Sequence, residues 1–415
     1  MMKNNCLQLA VIGAGASGLM AAVTAAAEAE KIGKNVSVAL YEANPRVGKK
    51  LLVTGNGRCN FTNDFVSGEH FYGERALAAQ IYKRFDNEQV KKFFLRLGLV
   101  SKSDFAGRVY PLSAQASSVL DALRFEVMKY GIKEVCDTKI TSIEKNGNTF
   151  LLNGKFRADR CIIATGGKAA PVQGSDGSGL ELLKKAGIKI TPVVPALTAL
   201  CCADFTKALK GIRAQGKITI KASGRILAED TGEIQYTDYG LSGIPSMQVS
   251  RFVSEALLQN KSEVFAIVDS SPALSSEELA DFISSVKKNN PFLPSEMLLA
   301  GIMPKRLGIS LLSDCSVNPS MEIGKIYPAA TEKIVRTVKG KKYKIQSVRG
   351  FSDAQVSAGG IAGEEIDYST LELKKLRGAY VCGEIVNVDG ACGGYNLQWA
   401  WSSGVTAGKS AVREN

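Results

Sequence analysis

The stretch LQLAVIGAGASGLMAAVTAAAEAEKIGKNVSVALYE, residues 7–42, decides the fold. Residues 9–12 are a short apolar run typical of a buried parallel strand, and the glycine pattern G-x-G-x-x-G follows at once at 13–18. An alanine-rich segment through Glu30 has the composition of a helix, and residues 36–41 read as a second strand. The order of these elements predicts a βαβ unit with its glycine loop between strand and helix.

Each glycine of this loop has a different predicted role. Gly13 permits the tight turn, Gly15 lets the backbone approach a pyrophosphate, and Gly18 lets the helix pack closely on the strand. Glu42, 24 residues after Gly18, ends the second strand and can accept hydrogen bonds from an adenosine ribose. The alternative is a tight turn with no ligand. We favour dinucleotide binding, by residues Gly13, Gly15, Ala16, Ser17, Gly18 and Glu42.

Length and composition predict a soluble protein of two or three domains. The chain has 415 residues, of which 45% are hydrophobic and 22% charged. No stretch is long and apolar enough to span a bilayer, and MMKNNCLQLAVIG lacks the parts of a secretory signal, so we expect a cytoplasmic protein. Nine cysteines with no repeated spacing favour reduced thiols over a disulfide framework.

The single histidine, His70, excludes several mechanisms. Ser-His-Asp hydrolysis and His-ligated zinc both need positioned imidazoles, and the chain has no C-x-x-C pair for zinc or for thiol exchange. We therefore expect no metal site. His70, in the segment GEHFYG, is predicted to be a surface residue.

The net charge of +12 admits nucleic acid or acidic ligands as partners. The densest basic stretch, KIVRTVKGKKYKIQSVR at 333–349, contains no acidic residue. No nucleic-acid-binding motif accompanies it, so we favour a solvated helix face followed by a turn and a strand.

Enzymes that bind NAD and enzymes that bind FAD share the glycine fingerprint, so it does not distinguish the two cofactors. Two distant segments favour FAD. Residues 133–167 read as short strands joined by Asn-Gly turns, and the last strand runs into Ala-Thr-Gly-Gly at 164–167. Later, the apolar strand 379–382 ends in Gly383 and Glu384. This trio resembles the flavoprotein architecture of glutathione reductase, which implies FAD. By that resemblance Glu384 would hold ribityl hydroxyls of the cofactor.

Three further phrases narrow the resemblance: GKKLLVTGNGRCNFTN (48–63), YTDYGLSGIP (236–245) and GEIVNVDGACGGYNLQWAWSSG (383–404). With the fingerprint, they are similar to the BaiN-like (YhiN-type) family of bacterial NAD(P)/FAD-dependent oxidoreductases. The resemblance runs from the first strand to the last helix. It implies an α/β fold, in which a Rossmann-like FAD-binding domain carries inserted β-barrel-like and helical domains.

The predicted domain boundaries follow this layout. Prolines near residue 192 mark the first boundary, and strand-like and helical patterns alternate after it. The segment SSEELADFISSVKKNN opens with a Ser-x-x-Glu capping box. We expect the FAD-binding domain at 1–191 and 355–415, the barrel-like domain at 192–245 with a return strand at 339–354, and the helical domain at 246–338.

By the same resemblance, the glycine loop before the last helix meets the flavin ring. The amino end of that helix would face N1 and the C2 carbonyl, where negative charge gathers on reduction. Both tryptophans stand in this helix, and we expect them to pack the core and not to stack on flavin.

In the loop at 54–60, Arg58 could pair with pyrophosphate or an anionic substrate. Cys59 is interpreted as a buried small hydrophobe, with a proton donor or a flavin tether as alternatives. The further cofactor-binding residues implied are Lys50, Gly55, Gly57, Arg58, Cys59, Asn60, Thr165, Gly166, Gly383, Glu384, Gly393, Gly394, Tyr395 and Asn396.

Candidates for the proton partner of hydride transfer are Tyr110, Asp238, Tyr239, Cys392 and Tyr395. The family often has a histidine in the phrase that reads YTDYGLSG here. We expect an FAD-dependent reductase of a small or medium organic substrate such as an enone bile-acid intermediate, with NADH or NADPH as electron donor. The alternatives are an oxidase of a small amine such as aminoacetone, and a basic flavoprotein that binds nucleic acid.

Overall fold

The βαβ unit opens the structure, a computed structural model. Strand β1 (Leu7–Ile12) leads into helix α1 (Ala16–Ile32), and strand β2 (Val36–Tyr41) follows. Helix α1 ends where Gly33 takes the left-handed conformation, φ 69°, which glycine adopts without a Cβ clash. The predicted strand, helix and strand are confirmed. The residues that the structure describes are 6–203, 205–259 and 263–413.

The remaining elements follow in chain order. The strands are β3 (Thr62–Asn63), β4 (Phe71–Gly73), β5 (Ser101–Ser103), β6 (Arg108–Pro111), β7 (Lys133–Val135), β8 (Ile143–Asn146), β9 (Thr149–Leu152), β10 (Phe156–Ala158), β11 (Arg160–Ile163), β12 (Val194–Ala196), β13 (Leu200–Cys202), β14 (Arg213–Ala222), β15 (Arg225–Tyr236), β16 (Gly240–Ser242), β17 (Val264–Asp269), β18 (Lys341–Val348), β19 (Val356–Ala358), β20 (Ala379–Val381) and β21 (Val388–Gly390). The helices are α2 (Arg75–Tyr82), α3 (Asn87–Arg96), α4 (Ala116–Lys129), α5 (Ser178–Lys185), α6 (Ile244–Leu258), α7 (Ser276–Asn289), α8 (Lys305–Asp314), α9 (Pro328–Gly340) and α10 (Tyr395–Arg413).

A five-stranded parallel sheet in the order β20-β11-β1-β2-β7 forms the centre of the first of two units, residues 1–194 and 355–415. Every pairing in this sheet is parallel, so the carboxyl ends of all its strands lie at one edge. Ligands of open parallel sheets bind outside this edge. The glycine loop after β1, Glu42 after β2, Thr165 after β11 and Gly383 after β20 all lie there.

Helix α10 packs directly on helix α1 through small residues. A Cβ atom added at Gly404 would lie 2.7 Å from the carbonyl oxygen of Ser17, and one added at Gly408 would lie 2.5 Å from that of Ala21. Only glycine allows such a close approach of two backbones. Because α10 is rich in small residues, it packs closely on α1. This packing places the amino end of α10 near the glycine loop after β1.

The second unit, residues 195–354, contains a closed barrel in the order β13-β16-β15-β14-β17-β18, together with helices α6 to α9. Barrel and helices share one hydrophobic core. The predicted capping box opens α7, where Ser275 accepts a hydrogen bond from the Glu278 amide and Glu278 accepts one from the Ser275 amide. The predicted fold class, a Rossmann-type domain with a barrel and helices, is confirmed.

One strand lies inside the segment that the sequence presented as largely helical. Strand β17 falls within residues 246–338 and pairs with β14 and β18 to close the barrel. The five residues VFAIV before Asp269 are all apolar, so the sequence shows neither a helical nor a strand period, whereas in the structure they alternate between buried and half-buried. The division into separate barrel and helical domains stays a prediction.

All nine cysteines lie within the described part of the chain, and none of them forms a disulfide there. Over the same ranges, no helix has the length and apolarity needed to cross a membrane.

Candidate functional site

Two of the three fingerprint glycines are required by the packing of the chain itself. A Cβ atom at Gly13 would lie 2.5 Å from the carbonyl oxygen of Ala164, and one at Gly18 would overlap the carbonyl oxygen of Gly13. Gly13 also has φ +98°, which side chains rarely adopt. Gly15 is different, because a Cβ atom there would meet no described atom within 4 Å. The loop therefore leaves open space at Gly15 alone.

The amino end of helix α1 faces this space without a capping side chain among the described residues. Gly15 is the N-cap, and the first residues, Ala16 and Ser17, carry no negative charge. Free amide groups and the helix dipole make such an end attractive to anions. Ser17 also lies against Gly383, where an added Cβ atom would overlap the Ser17 hydroxyl oxygen. The first turn of α1 and the loop after β20 are thus in contact.

Glu42 is buried and holds the glycine loop. One carboxylate oxygen, Oε2, accepts the Ala14 amide at 2.9 Å, while Oε1 accepts the backbone and side-chain amides of Asn44 at 2.8 and 2.7 Å. A carboxylate has about four acceptor sites, so a further donor can be accommodated. The ribose contact that the sequence suggested for Glu42 stays a prediction.

Two buried hydroxyl groups beside the Ala-Thr-Gly-Gly segment have no hydrogen-bond partner in the described structure. They are Thr165 Oγ1 and Ser175 Oγ. The space around them is tight, since a Cβ atom at Gly166 would lie 2.6 Å from the Ser175 hydroxyl, and one at Gly179 would overlap the Thr165 hydroxyl. Unpartnered buried hydroxyls are costly unless a ligand or water satisfies them. Ser175 was missed by sequence reasoning, because nothing in GSDGSG marks its burial.

Glu384 is held by a cation and a backbone amide. Its Oε2 atom lies 2.9 Å from Lys50 Nζ, and its Oε1 atom accepts the Ser357 amide at 2.8 Å. Lys50 also donates to the carbonyl oxygen of Ala169 at 3.1 Å. Residues 334 positions apart in sequence are therefore joined by an ion pair in which both side chains are about four-fifths buried.

The segment TGNGRCN takes a rare backbone path. Gly55 and Gly57 have φ of 55° and 80°, and the non-glycine residues Asn56 and Cys59 have φ of 55° and 56°. A Cβ atom at Gly55 would lie 2.9 Å from the Asn60 amide, whereas Gly57 faces open space within the described structure. Within this turn the Arg58 and Cys59 amides donate to the carbonyl oxygens of Gly55 and Thr54.

Arg58 and Cys59 are neighbours with opposite environments. The Arg58 side chain is exposed, and its guanidinium carbon lies 5.0 Å from the centre of the Tyr110 ring. No acidic partner of Arg58 occurs among the described residues. Cys59 is fully buried, and burial raises the pKa of its thiol to about 12, so the thiol is protonated at neutral pH. This environment suits the reading of Cys59 as a small hydrophobe.

The second glycine loop packs on the strand that follows TGNGRCN. Gly393 and Gly394 have φ of 125° and 105°, and a Cβ atom at Gly394 would overlap the carbonyl oxygen of Thr62. Asn63 Nδ2 donates to the Gly393 carbonyl oxygen at 2.9 Å. Asn396 folds back on its own loop, accepting the Gly390 amide and donating to the Gly390 carbonyl oxygen, both at 2.8 Å. The loop that precedes helix α10 is thus held in shape by Asn63 on one side and by Asn396 on the other.

The two tryptophans tie these loops together. Trp399 Nε1 donates to the carbonyl oxygen of Gly383 at 2.9 Å, and Trp401 Nε1 donates to that of Phe61 at 2.8 Å. Both side chains are buried, and Trp401 packs edge-on against Phe94. These contacts favour the interpretation that the two tryptophans pack the core. Their indole N–H groups also donate hydrogen bonds to loops that face the sheet edge.

His70 lies in this site, and the prediction of a surface histidine is corrected. The imidazole is half-buried and stacks on Tyr395, with ring centres 4.4 Å apart and planes 8° apart. His70 directly precedes β4, which pairs with β21 ahead of the glycine loop. Sequence alone gave no reason to pair these two short strands, because they are more than 300 residues apart and each has three residues.

The other proton-donor candidates are spread over both units. Tyr110 and Tyr395 are buried in the first unit, where Cys392 is half-buried. Asp238 and Tyr239 belong to the second unit. Asp238 pairs with Lys210 at 2.9 Å, and this hydrogen bond lowers the pKa of its carboxyl group, so Asp238 is ionised at neutral pH.

Tyr239 lies under the Arg349 guanidinium, 5.0 Å from ring centre to guanidinium carbon. The catalytic roles of all these candidates stay predictions.

The basic stretch at 333–349 is partly neutralised by acids of the second unit. It forms the carboxyl part of α9 and all of β18. Its ion pairs are Lys339 with Asp269, Lys341 with Asp314, Lys344 with Glu263 and Arg349 with Asp353.

The HI0933-like protein Rossmann domain family matches residues 7–410. The chain belongs to this family. The resemblance inferred from the fingerprint and the glycine phrases is therefore confirmed. Within the described ranges of this HI0933-like chain, no group of His, Cys, Asp and Glu side chains could hold a metal ion.

Two relatives of this HI0933-like chain are named for different activities. It is 37% identical to the 3-dehydro-bile acid delta(4,6)-reductase of Clostridium scindens, over 98% of this chain and 99% of that protein. It is 25% identical to the ribosomal RNA dihydrouridine synthase of Haemophilus influenzae, over 97% and 98% of the two chains.

Among solved structures, the 3-ketosteroid delta1-dehydrogenase of Sterolibacterium denitrificans aligns over 98% of this chain and 99% of that one, with a TM-score of 0.45 and 11% identity. The predicted enzyme class, an oxidoreductase, agrees with the reductase among the relatives.

Proposed function

We propose that the protein is an FAD-dependent oxidoreductase that reduces a carbon–carbon double bond conjugated to a carbonyl group, with NADH or NADPH as electron donor. The observation that carries the substrate class is the chemistry shared by the two kinds of relative. A delta(4,6)-reductase of a 3-dehydro bile acid saturates double bonds conjugated to a ketone. A dihydrouridine synthase saturates the ring double bond of uracil, which is also conjugated to a carbonyl.

The edge of the parallel sheet fits FAD. The buried hydroxyls of Thr165 and Ser175 need partners, Gly15 faces open space, and the amino end of α1 favours an anion. FAD supplies two-electron chemistry at its isoalloxazine ring. In this proposal the loops after β1 and β11 hold the adenosine and pyrophosphate, and Glu384 with the glycine loop before α10 holds the flavin half.

Two cations, Lys50 and Arg58, then have distinct roles. Lys50 neutralises Glu384 and fixes its carboxylate, so that Glu384 accepts hydrogen bonds in one orientation. Arg58 is a cation stacked on an aromatic ring with no acidic partner in the described chain, which suits a carboxylate or phosphate on the substrate.

The proton that accompanies hydride addition is assigned to a tyrosine. Burial, and to a smaller extent the neighbouring Cys392, raises the pKa of Tyr395, so its phenol keeps its proton at neutral pH. Ionised Asp238 has no proton to give, and the Cys59 thiol is buried and held protonated. Tyr395 directly follows the glycine loop that is proposed to hold the flavin half, so it is the proposed donor, with Tyr110 as the alternative.

Anaerobic bleaching of the flavin distinguishes this function from an amine oxidase. Purified holoprotein is mixed in parallel with NADH, NADPH and aminoacetone, and absorbance near the flavin maximum is followed. The proposal expects bleaching by a nicotinamide and recovery of absorbance when an enone is added. Bleaching by the amine alone would favour the oxidase, and no bleaching by any of the three would contradict both.

A second candidate substrate is uridine within ribosomal RNA. The net charge of +12 favours it, since a basic protein attracts the phosphate backbone of RNA. The four ion pairs that the basic stretch makes with acidic residues outside it argue against that stretch as the contact surface. Recovery of flavin absorbance on adding ribosomal RNA, with gain of two hydrogens in one uridine by mass spectrometry, would select this substrate over a free enone. Recovery with the enone alone would exclude it.

A further inference from the structure

We propose that His70 is a positioning residue of the redox site, which holds the phenol of Tyr395 in one orientation by ring stacking. The proposal rests on the proposed function, because it concerns the tyrosine to which proton donation is assigned. It gives a role to the one histidine of the chain, which no other feature of the site explains.

The stack is close and nearly parallel. Ring centres are 4.4 Å apart, and the two planes differ by 8°. A tyrosine ring pressed against a second planar ring cannot turn about its side-chain bonds without losing that contact. Tyr395 is also the first residue of α10, and its side chain is buried beside Gly390 and Gly393. The imidazole adds a planar contact to this packing and so restrains the orientation of the phenol.

The imidazole is itself fixed by Ser67. The Ser67 amide donates to His70 Nδ1 at 3.2 Å, and the Ser67 hydroxyl oxygen lies 3.0 Å from the same nitrogen. A nitrogen that accepts an amide hydrogen carries no proton, so the neutral ring bears its hydrogen on Nε2. Both the tautomer and the orientation of the ring follow from this contact.

The backbone of His70 is joined to the loop that it serves. Its carbonyl oxygen accepts the Ala391 amide at 2.9 Å, and the next residues form β4, which pairs with β21. His70 and the glycine loop are therefore joined by a backbone hydrogen bond and by the pairing of the strands next to them. A positioning residue must have this property, because a ring on an independent loop could not fix the phenol.

Charge does not disturb the stack at neutral pH. Burial is the largest influence on His70 and lowers its pKa, while a backbone hydrogen bond with Ser67 and the nearby Glu69 carboxylate act in the opposite direction. Burial raises the pKa of Tyr395, and Cys392 acts in the same direction. Both rings are thus neutral near pH 7, and protonation of His70 is expected only in more acidic solution.

Nuclear magnetic resonance tests the contact directly, because one histidine gives one set of imidazole signals. The full chain is purified without a histidine tag, with FAD bound. The ring protons of His70 should be shifted upfield by the Tyr395 ring, and the shift should vanish in Tyr395→Leu. Nitrogen shifts should report Nε2–H as the major tautomer. Imidazole signals that Tyr395→Leu leaves in place would overturn the stack, whether or not the protein reduces enones.

Steady-state kinetics test whether loss of the His70 ring slows the reaction. His70→Phe keeps a planar ring, His70→Ala removes it, and Phe205→Ala is a matched control that removes a ring stacked on Tyr236 in the second unit. With reduction of an enone as the assay, His70→Ala should lower kcat about tenfold, since a misplaced catalytic group can cost far more than its contacts, with KM changed less than about twofold. His70→Phe and the control should stay within about twofold of the wild type.

Equal kcat for His70→Ala and the wild type would overturn the positioning role. A loss in His70→Phe as large as in His70→Ala would overturn it as well, because the imidazole would then act chemically and not as a planar support. FAD content is measured in every variant. If the wild type reduces no enone, the proposed function fails, and the magnetic resonance result still decides whether His70 holds Tyr395.

Discussion

The substitution Gly15→Val separates cofactor binding from the packing of the chain. Gly15 has φ −79° and ψ −168°, which any residue adopts, and an added Cβ atom meets no described atom within 4 Å. The cost to the protein without cofactor is therefore that of a poor N-cap, about 1 kcal/mol. Gly18→Ala is the matched control, because its Cβ atom overlaps the Gly13 carbonyl oxygen and overpacking costs about 1–3 kcal/mol.

The effect on FAD follows from the bonds that a side chain at Gly15 would block. A hydrogen bond to a charged group contributes about 1.5–3 kcal/mol, so loss of one amide contact to the pyrophosphate raises Kd roughly 10- to 150-fold. At an FAD concentration of 100 times the wild-type Kd, binding stabilises the wild type by about 2.7 kcal/mol. A variant with a Kd 100-fold higher gains only about 0.4 kcal/mol.

Thermal denaturation with and without FAD measures both quantities. Gly15→Val should unfold near the wild-type temperature without FAD and should lose most of the shift that FAD produces. Gly18→Ala should unfold at a lower temperature and keep much of its FAD-dependent shift. Acid should release FAD, and not FMN, from the wild type. A Gly15→Val protein with undiminished FAD content and shift would show that the loop is only a packing turn.

Further predictions concern the core, the ion pair, the buried thiol and the kinetics. Trp401→Phe removes the donor to the Phe61 carbonyl oxygen and should lower the free energy of unfolding by about 1–3 kcal/mol in urea denaturation, and an unchanged midpoint would contradict its packing role. Lys50→Met should weaken FAD binding about tenfold more than Lys50→Arg, measured by flavin fluorescence, because Glu384 loses its cation; equal affinities would contradict this. Iodoacetamide at pH 8 should leave Cys59 unmodified, since burial raises its pKa to about 12, and peptide mass spectrometry of a modified Cys59 would refute it. NAD(P)H-dependent turnover should give parallel double-reciprocal lines, because the sequence has one G-x-G-x-x-G fingerprint and the donor and substrate are then expected to share one cleft; intersecting lines would contradict the shared cleft.

The sequence predicted the parts of the fold that depend on local patterns. The first strand, the glycine loop, the helix and the second strand follow from apolar runs, glycine spacing and alanine content, and the structure has all four. The capping box at Ser275 is equally local, since its two partners are three residues apart. Strand β17 was not recognised, because a short buried run is compatible with either helix or strand.

The candidate site likewise has features that local sequence patterns predict and features that depend on contacts between distant segments. The spacing predicts separate roles for Gly13, Gly15 and Gly18. In the structure Gly13 and Gly18 lie against backbone atoms and Gly15 faces open space, while the pyrophosphate contact of Gly15 stays a prediction. Contacts between distant segments could not be read from the chain. The stack of His70 on Tyr395 and the unpartnered hydroxyl of Ser175 depend on how sheets and loops pack, which no local pattern records.

The most direct test of the proposed function is anaerobic reoxidation of the reduced holoprotein by a conjugated enone. The flavin is reduced photochemically, so that no nicotinamide is needed, and then mixed with a 3-keto-4-ene bile acid, with its saturated analogue or with ribosomal RNA. We predict that a substrate with a conjugated double bond restores the flavin absorbance and gains two mass units, while the saturated analogue does neither. Flavin that stays reduced with both the enone and the RNA, yet reoxidises rapidly in oxygen, would contradict the assignment as a reductase of conjugated double bonds.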